Sequence, residues 1–156
     1  RLFFLVMKIV IYTDGACIGN PGPGGWAAIV LNEGKEKKRI FGGEKLTTNN
    51  RMELIAAIKG LKYCIDQDNK QPSLIKKITV YTDSTYLKDG ITVWIKSWEK
   101  NNWKTSDKKN VKNIDLWKEL QVLVKLKEID WKWIKGHSDD PMNNLADRLA
   151  KAATPV

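Results

Sequence analysis

The stretch Lys8-Ile9-Val10-Ile11-Tyr12-Thr13 is β-branched and apolar at odd and even positions alike. That pattern predicts a strand covered on both faces, ending in Asp14. Gly15 and the cluster Gly19-Asn20-Pro21-Gly22-Pro23-Gly24-Gly25 are too rich in breakers for helix or strand and predict a turn region. A second strand is expected over Trp26–Leu31, a charged turn over Asn32–Lys38 and a third short strand over Arg39–Glu44. Short turns between three strands imply an antiparallel meander. From Thr48 or Asn50 the period changes, with Met52, Ile55, Ile58, Leu61 and Ile65 at helical spacing and Ala56, Ala57 and Gly60 permitting close packing. Glu53 follows Asn50 by three residues, which suits a capping box, a local stabiliser without chemistry.

Lys77-Ile78-Thr79-Val80-Tyr81-Thr82-Asp83 repeats the grammar of the first strand, including its Tyr-Thr-Asp ending. A short helix is expected after Ser84, another helical stretch after Gly90, and a third over about Asn113 to Lys125. Ile129–Lys135 reads as a last strand with Trp131 and Trp133 on one face. Asp140 before Pro141 predicts an N-cap and first helical position, opening a terminal helix that carries Leu145, Ala146, Leu149 and Ala153. The order β-β-β-α-β-α-α-α-β-α defines an α/β class, a mixed sheet with helices packed on its faces. Residues 7–156 read as one domain, preceded by a short extension, residues 1–6, whose origin the sequence leaves open.

Composition narrows the picture. At 156 residues, 42% hydrophobic and 29% charged, the chain has ordinary globular usage, which excludes fibrous repeats and intrinsic disorder. Lys and Arg number 27 against 18 Asp and Glu, a net charge of +9. Such an excess favours a polyanionic partner, nucleic acid first and anionic membrane second, with simple solubility as the competing reading. No stretch approaches the roughly 18 apolar residues of a membrane span. The apolar run Leu2–Met7 is interrupted by Lys8 before any convincing cleavage site, so secretion is not expected. Cys17 and Cys64 have neither a metal spacing nor a disulfide pattern, and they suit a reducing cytoplasm.

Four acids stand out by position: Asp14 and Asp83 at strand ends, Glu53 in the first turn of a helix, and Asp147 early in the last helix. An acid at the end of a buried strand is costly unless solvated, paired or bound to a cation, and here the arrangement occurs twice. Hard carboxylate oxygens without thiolates or clustered imidazoles suit Mg²⁺ or Mn²⁺ rather than zinc. Two such ions about 3.5–4 Å apart activate a water and stabilise the leaving oxygen of a phosphodiester. The one histidine, His137, lies in the loop between the last strand and the helix bearing Asp147. An imidazole there can shuttle protons or aid product release, although a surface histidine is often incidental. Residues 96–112 hold six lysines, among them Lys104, Lys108 and Lys109, against two acids. Trp94, Trp98 and Trp103 are interleaved with them, offering phosphate attraction beside flat apolar surfaces. Trp94 and Trp98, four apart, also suit packing on one helix face, and a self-packed protrusion with a basic outside accommodates both roles.

Taken in order, Tyr12-Thr13-Asp14-Gly15-Ala16-Cys17, the turn Gly19 to Trp26, Thr47-Thr48-Asn49-Asn50-Arg51-Met52-Glu53, Tyr81-Thr82-Asp83-Ser84, Trp103-Lys104-Thr105, Val111-Lys112-Asn113 and Gly136-His137 closely resemble the bacterial type 1 ribonuclease H family. The resemblance runs from Met7 to Ala153 and selects the same four acids. It implies the ribonuclease H-like fold, with three antiparallel strands, two further strands parallel to the first, and helices on both faces. It also implies a monomeric endonuclease that hydrolyses the RNA strand of RNA/DNA hybrids without marked sequence specificity and leaves 5′-phosphate and 3′-hydroxyl ends. Asp14, Glu53, Asp83 and Asp147 would bind two Mg²⁺ ions, with Asp14 bridging and Mn²⁺ able to substitute. By the same likeness Cys17, Asn20, Asn49 and Asn50 touch the minor groove and RNA strand, and Thr48 and Asn113 hold a DNA phosphate. Tyr86 and Trp94 border the DNA-strand channel. The basic protrusion, about residues 94–113, grips the duplex. Two positions depart from the family pattern: Thr85 stands where many relatives carry Gln, and Asn144 where Glu is usual. A hybrid-binding module without cleavage and a generic DNA-binding protein are the competing readings, and neither has a use for four converging acids.

Overall fold

The computed structural model describes residues 7–70, 75–136 and 139–155, so the extension 1–6 and His137 lie outside the described residues. β1 (Ile9–Cys17) is flanked on one side by β2 (Gly22–Asn32), which runs antiparallel to it, and beyond that by β3 (Lys35–Thr47), antiparallel to β2. On its other side β4 (Lys77–Thr82) and then β5 (Glu128–Trp133) are added in parallel, giving the order β3-β2-β1-β4-β5. The mixed five-stranded sheet is the one the sequence predicts. Its helices are α1 (Asn49–Lys70), α2 (Thr85–Asp89), α3 (Ile95–Lys100), α4 (Ile114–Val124) and α5 (Pro141–Ala153), with a π-helical turn, Gly90–Trp94, joining α2 to α3. Among the described residues no helix is long and apolar enough to cross a membrane.

Alternation along the strands explains the layering. Ile9, Ile11, Ala28 and Val30 face α1 and form the larger core with Met52, Leu61, Trp117 and Leu120. Val10, Tyr12, Ile29 and Leu31 face the other way, against Ala146, Leu145 and Leu149 of α5. Both faces of β1 and β2 are therefore covered, which is why Ile9–Ile11 and Trp26–Leu31 are apolar at successive positions. Asp140 caps α5 as expected, its side chain accepting from the N–H groups of Met142 (2.9 Å) and Asn143 (3.1 Å).

Three expectations are corrected. The first strand does not end at Asp14 but continues to Cys17, and the breaker-rich segment from Gly22 to Gly25 is the start of β2 rather than a turn. Glycine serves packing there: a Cβ on Gly25 would lie 2.0 Å from the carbonyl oxygen of Ala150, so only a bare strand lets α5 approach. The charged segment Lys35–Lys38 belongs to β3, the hairpin turn being Glu33-Gly34 alone, with both residues at positive φ. An exposed edge strand tolerates this run of charge, and lysines there discourage pairing with other sheets.

Candidate active site

The site begins where the sheet divides. β1 and β4 pair only from Ile9↔Ile78 to Tyr12↔Tyr81, after which β1 continues against β2 alone, through Asp14↔Ala27 to Cys17↔Gly24. The repeated Tyr-Thr-Asp acquires a physical reason at this junction. The Tyr12 and Tyr81 rings stack at 4.8 Å on one face. On the backbone side the Thr13 hydroxyl donates to the Tyr81 carbonyl (3.4 Å), and the Thr82 hydroxyl accepts from the N–H of Ser84 (3.0 Å). Both threonines are buried, and each is followed by an acid at the mouth of the gap.

α1 supplies the third acid. Its cap is Thr48, whose Oγ1 accepts from the Arg51 N–H at 3.2 Å, and not Asn50, so the expected Asn50–Glu53 capping box does not form. Glu53 instead points inward and is 3% exposed, as is Asp14, and its Oε1 has no hydrogen-bond partner among the described residues. The approach depends on Gly15, where a Cβ would fall 2.6 Å from the Glu53 nitrogen and 2.7 Å from the Met52 carbonyl carbon. Carboxylate oxygens of Asp14, Glu53 and Asp83 all lie within 4.8 Å of one another.

So close a set of acids is electrostatically unstable when fully charged. Burial first, then the charge of Asp83 and a hydrogen bond with Asp147, push the Asp14 pKa up to about 9 against the N–H of Gly15, which lowers it. Glu53 is held well above the ordinary carboxylate range by burial and by the charges of Asp14 and Asp83. A buried, unpartnered oxygen facing two further acids fits a divalent cation, which converts repulsion into coordination. Asp147 reaches Asp14 from α5 and is itself paired with Lys151 one turn later (3.0 Å).

The acids open into a cleft of about 500 Å³ that is also lined by Cys17, Asn49, Asn50, Thr85 and Tyr86. The Cys17 thiol lies 3.4 Å from the Thr47 carbonyl and 3.5 Å from that of Gly22, tying the ends of three strands together. Asn20 accepts from the Asn49 N–H at 2.8 Å. Asn113, at positive φ, accepts from Arg51 (3.2 Å) and donates to the Tyr86 hydroxyl (3.1 Å), which also accepts from the indole of Trp117 (3.0 Å). Thr48, Asn113 and Tyr86 are thus linked through Arg51, outward from the acids. From Tyr86 an aromatic chain runs to Trp94 (5.8 Å), Trp98 (6.1 Å) and Trp103 (6.2 Å). Trp98 also packs on Trp117 at 5.3 Å, so the protrusion is braced on the core. Lys104, Lys108 and Lys109 are exposed on its outside, Lys104 bonding to Asn110 across the loop.

The ribonuclease H family model matches residues 7–154. The chain belongs to the ribonuclease H family. It is 54% identical over 146 residues to a ribonuclease H of Wolbachia pipientis wMel, covering 94% of both chains. Among solved structures it is similar to LC9-RNase H1, described as a type 1 RNase H with the type 2 active-site motif, at a TM-score of 0.81 and 28% identity over 95% of this chain and 72% of that one. LC11-RNase H1, solved in complex with an RNA/DNA hybrid, shares the fold at a TM-score of 0.72 and 23% identity, over 94% of this chain and 96% of that one.

Two features of this ribonuclease H escaped the sequence reading. Lys151 lines the cleft, a role signalled by its place four residues after Asp147 on one helix. Arg51 clamps Asp115 in a two-pronged ion pair (3.1 and 2.9 Å) that joins α1 to α4 and holds the Asp115 carboxyl below its ordinary pKa, and no local sequence pattern signals a pair so far apart. Of the two departures, Thr85 faces the cleft as the first residue of α2, and Asn144 lies in the first turn of α5 with its N–H donating to the Asp140 carbonyl (3.1 Å).

Because a methyl on Gly15 meets backbone rather than a movable side chain, Gly15→Ala is expected to lower stability by about 1–3 kcal/mol, the usual cost of overpacking. For a domain of this size that is a fall in melting temperature of about 2–4 °C per kcal/mol, measurable by calorimetry. An unchanged melting temperature would show that α1 does not need its close seat on β1.

Proposed function

We propose that this ribonuclease H is an endonuclease that hydrolyses the RNA strand of RNA/DNA hybrids, leaving 5′-phosphate and 3′-hydroxyl ends. The observation that carries the reading is the buried Glu53 oxygen without a partner, set within 4.8 Å of oxygens of Asp14 and Asp83. Asp14, Glu53, Asp83 and Asp147 would hold two Mg²⁺ ions, with Mn²⁺ able to replace them. When bound, such ions supply an acidified water for attack at phosphorus and positive charge for the departing 3′-oxygen.

The remaining chemistry belongs to the chain. Burial of Asp14 and Glu53 keeps bulk water from their inner faces, so their charged form is favoured by a cation admitted through the cleft. Asn49, Asn50, Asn20 and Cys17 would meet the minor groove, where contacts to successive 2′-hydroxyls distinguish RNA from DNA without reading sequence. Thr48 and Asn113, tied together through Arg51, would hold a phosphate of the DNA strand. Tyr86 and Trp94 would offer aromatic faces to deoxyribose rings that lack the 2′-hydroxyl. Trp98 and Trp103 would brace the protrusion whose Lys104, Lys108 and Lys109 attract the duplex. His137, which precedes the last helix in the sequence, would relay protons or assist product release. The hybrid bound by the LC11 relative supports this choice of substrate through likeness of fold.

The deciding experiment incubates a labelled RNA/DNA hybrid with the protein and Mg²⁺ beside double-stranded RNA, double-stranded DNA and single-stranded RNA. Cleavage confined to the hybrid, with products that carry 5′-phosphate, is expected. An intact hybrid, or equal cutting of all four, would overturn the reading; binding without cutting would favour a hybrid-binding module.

A further inference from the structure

Asp83 is the least enclosed of the three clustered acids and stands just beyond Thr82, where strand pairing no longer fixes the chain. Two residues following β5 and at its end close on it. Trp133 is 45% exposed, yet its indole N–H donates to the Asp83 carbonyl at 3.0 Å. The next amide, of Ile134, donates to the Thr82 carbonyl at 2.9 Å, so the backbone on which Asp83 sits is held at successive residues. Gly136 comes closer still to the carboxylate: a Cβ there would lie 2.8 Å from Asp83 Oδ2 and 3.5 Å from its carboxyl carbon.

We propose that Trp133 and Gly136 are positioning residues for Asp83, the indole anchoring its backbone and the bare glycine setting the space in which its carboxylate turns toward Asp14 and Glu53. The inference rests on the metal-binding reading above and adds what orients one of its ligands. Asp83 shares a hydrogen bond with Glu53 inside the cluster, yet repulsion among charged acids at such spacing opposes that inward turn, and restraint from outside the cluster favours it. The carbonyl bond does this from the main chain, and the close wall of Gly136 does it from the side. Partners that orient metal ligands in this indirect way are commonly worth about 10–100-fold in affinity or activity. The two glycines of the site differ in kind. A methyl on Gly15 collides with backbone, whereas a methyl on Gly136 meets only the end of a side chain, which yields by rotating.

The test uses Trp133→Phe, which keeps a ring and removes the donor, and Gly136→Ala, each in the full chain. Four quantities are measured: Mn²⁺ binding to the free protein by titration calorimetry, kcat and KM for the hybrid, and melting temperature. Each variant is expected to bind Mn²⁺ about tenfold more weakly and to lose kcat, with the hybrid KM and the melting temperature unchanged. Wild-type Mn²⁺ affinity and kcat in Trp133→Phe would overturn the proposal, as would a raised KM with kcat intact, which would make the indole a substrate contact. If Gly136→Ala fails to fold, Trp133→Phe decides alone. A parent protein that cleaves hybrid while the variants match it loses only this inference; a parent that neither binds Mn²⁺ nor cleaves loses the functional reading as well.

Discussion

Asp14→Asn is expected to abolish hybrid cleavage, by about a thousandfold or more, while raising the stability of the metal-free protein. The two effects have one origin. Asp14 has a pKa of about 9 in the fold against 3.8 ordinarily, because burial, Asp83 and Asp147 all oppose its charge. Folding therefore favours the protonated acid, and the native state loses stability as pH rises from the ordinary carboxylate range toward 9. Asparagine keeps the shape and removes the charge. The gain is expected to be about 0.5–2 kcal/mol at pH 8, at about 2–4 °C per kcal/mol for a domain of this size, and to vanish near pH 4. Saturating Mg²⁺ narrows it further by stabilising the parent protein alone. Calorimetric melting at the two pH values checks the stability arm, and a variant less stable than its parent at pH 8 would show that the acids do not strain the fold. Hybrid binding is expected to remain measurable, since the basic surface is untouched. Binding lost together with cleavage would show that the acids also build the docking surface.

Replacing Lys104, Lys108 and Lys109 together with Ala is expected to weaken hybrid binding and to flatten its dependence on salt. Each lysine that neutralises a phosphate contributes about one unit to the slope of log affinity against log salt, so the triple variant should lose about three. Binding isotherms across a salt series measure this directly. The protrusion's aromatic chain rests on Trp117 and Tyr86, so these surface changes leave its packing intact. A slope equal to that of the parent would mean that the lysines only solubilise the protrusion.

The sequence was most legible where local chemistry and global fold agree. Tyr12-Thr13-Asp14 and Tyr81-Thr82-Asp83 marked two adjacent strands because both carry the same ring stack and the same buried threonine. Asp140-Pro141 marked the start of α5 because capping is a local property. Legibility failed where a distant element decides. Gly22 to Gly25 reads as a turn until its neighbours are present, above all the helix that requires Gly25 to be bare, which lies more than a hundred residues later. Glu53 reads as a cap because spacing alone cannot say which way a side chain faces once Thr48 has taken the capping role. The contacts of Trp133 and Gly136 with Asp83 gave no signal because they join residues about fifty positions apart.

The parting of β1 from β4 beyond Tyr12 and Tyr81 has a bearing on redesign. The backbone separation of Asp14 and Asp83 is set by the strands that carry them, before any side chain in the cleft turns a carboxylate. It follows from how fast two twisted strands diverge once their shared hydrogen bonds stop. Altering the spacing of the acids, to favour a larger or smaller cation, is therefore a task for the strand core several residues upstream. Val10, Ile11 and Val80 lie in that paired stretch, whereas Asp→Asn at either acid deletes a ligand without moving the strands.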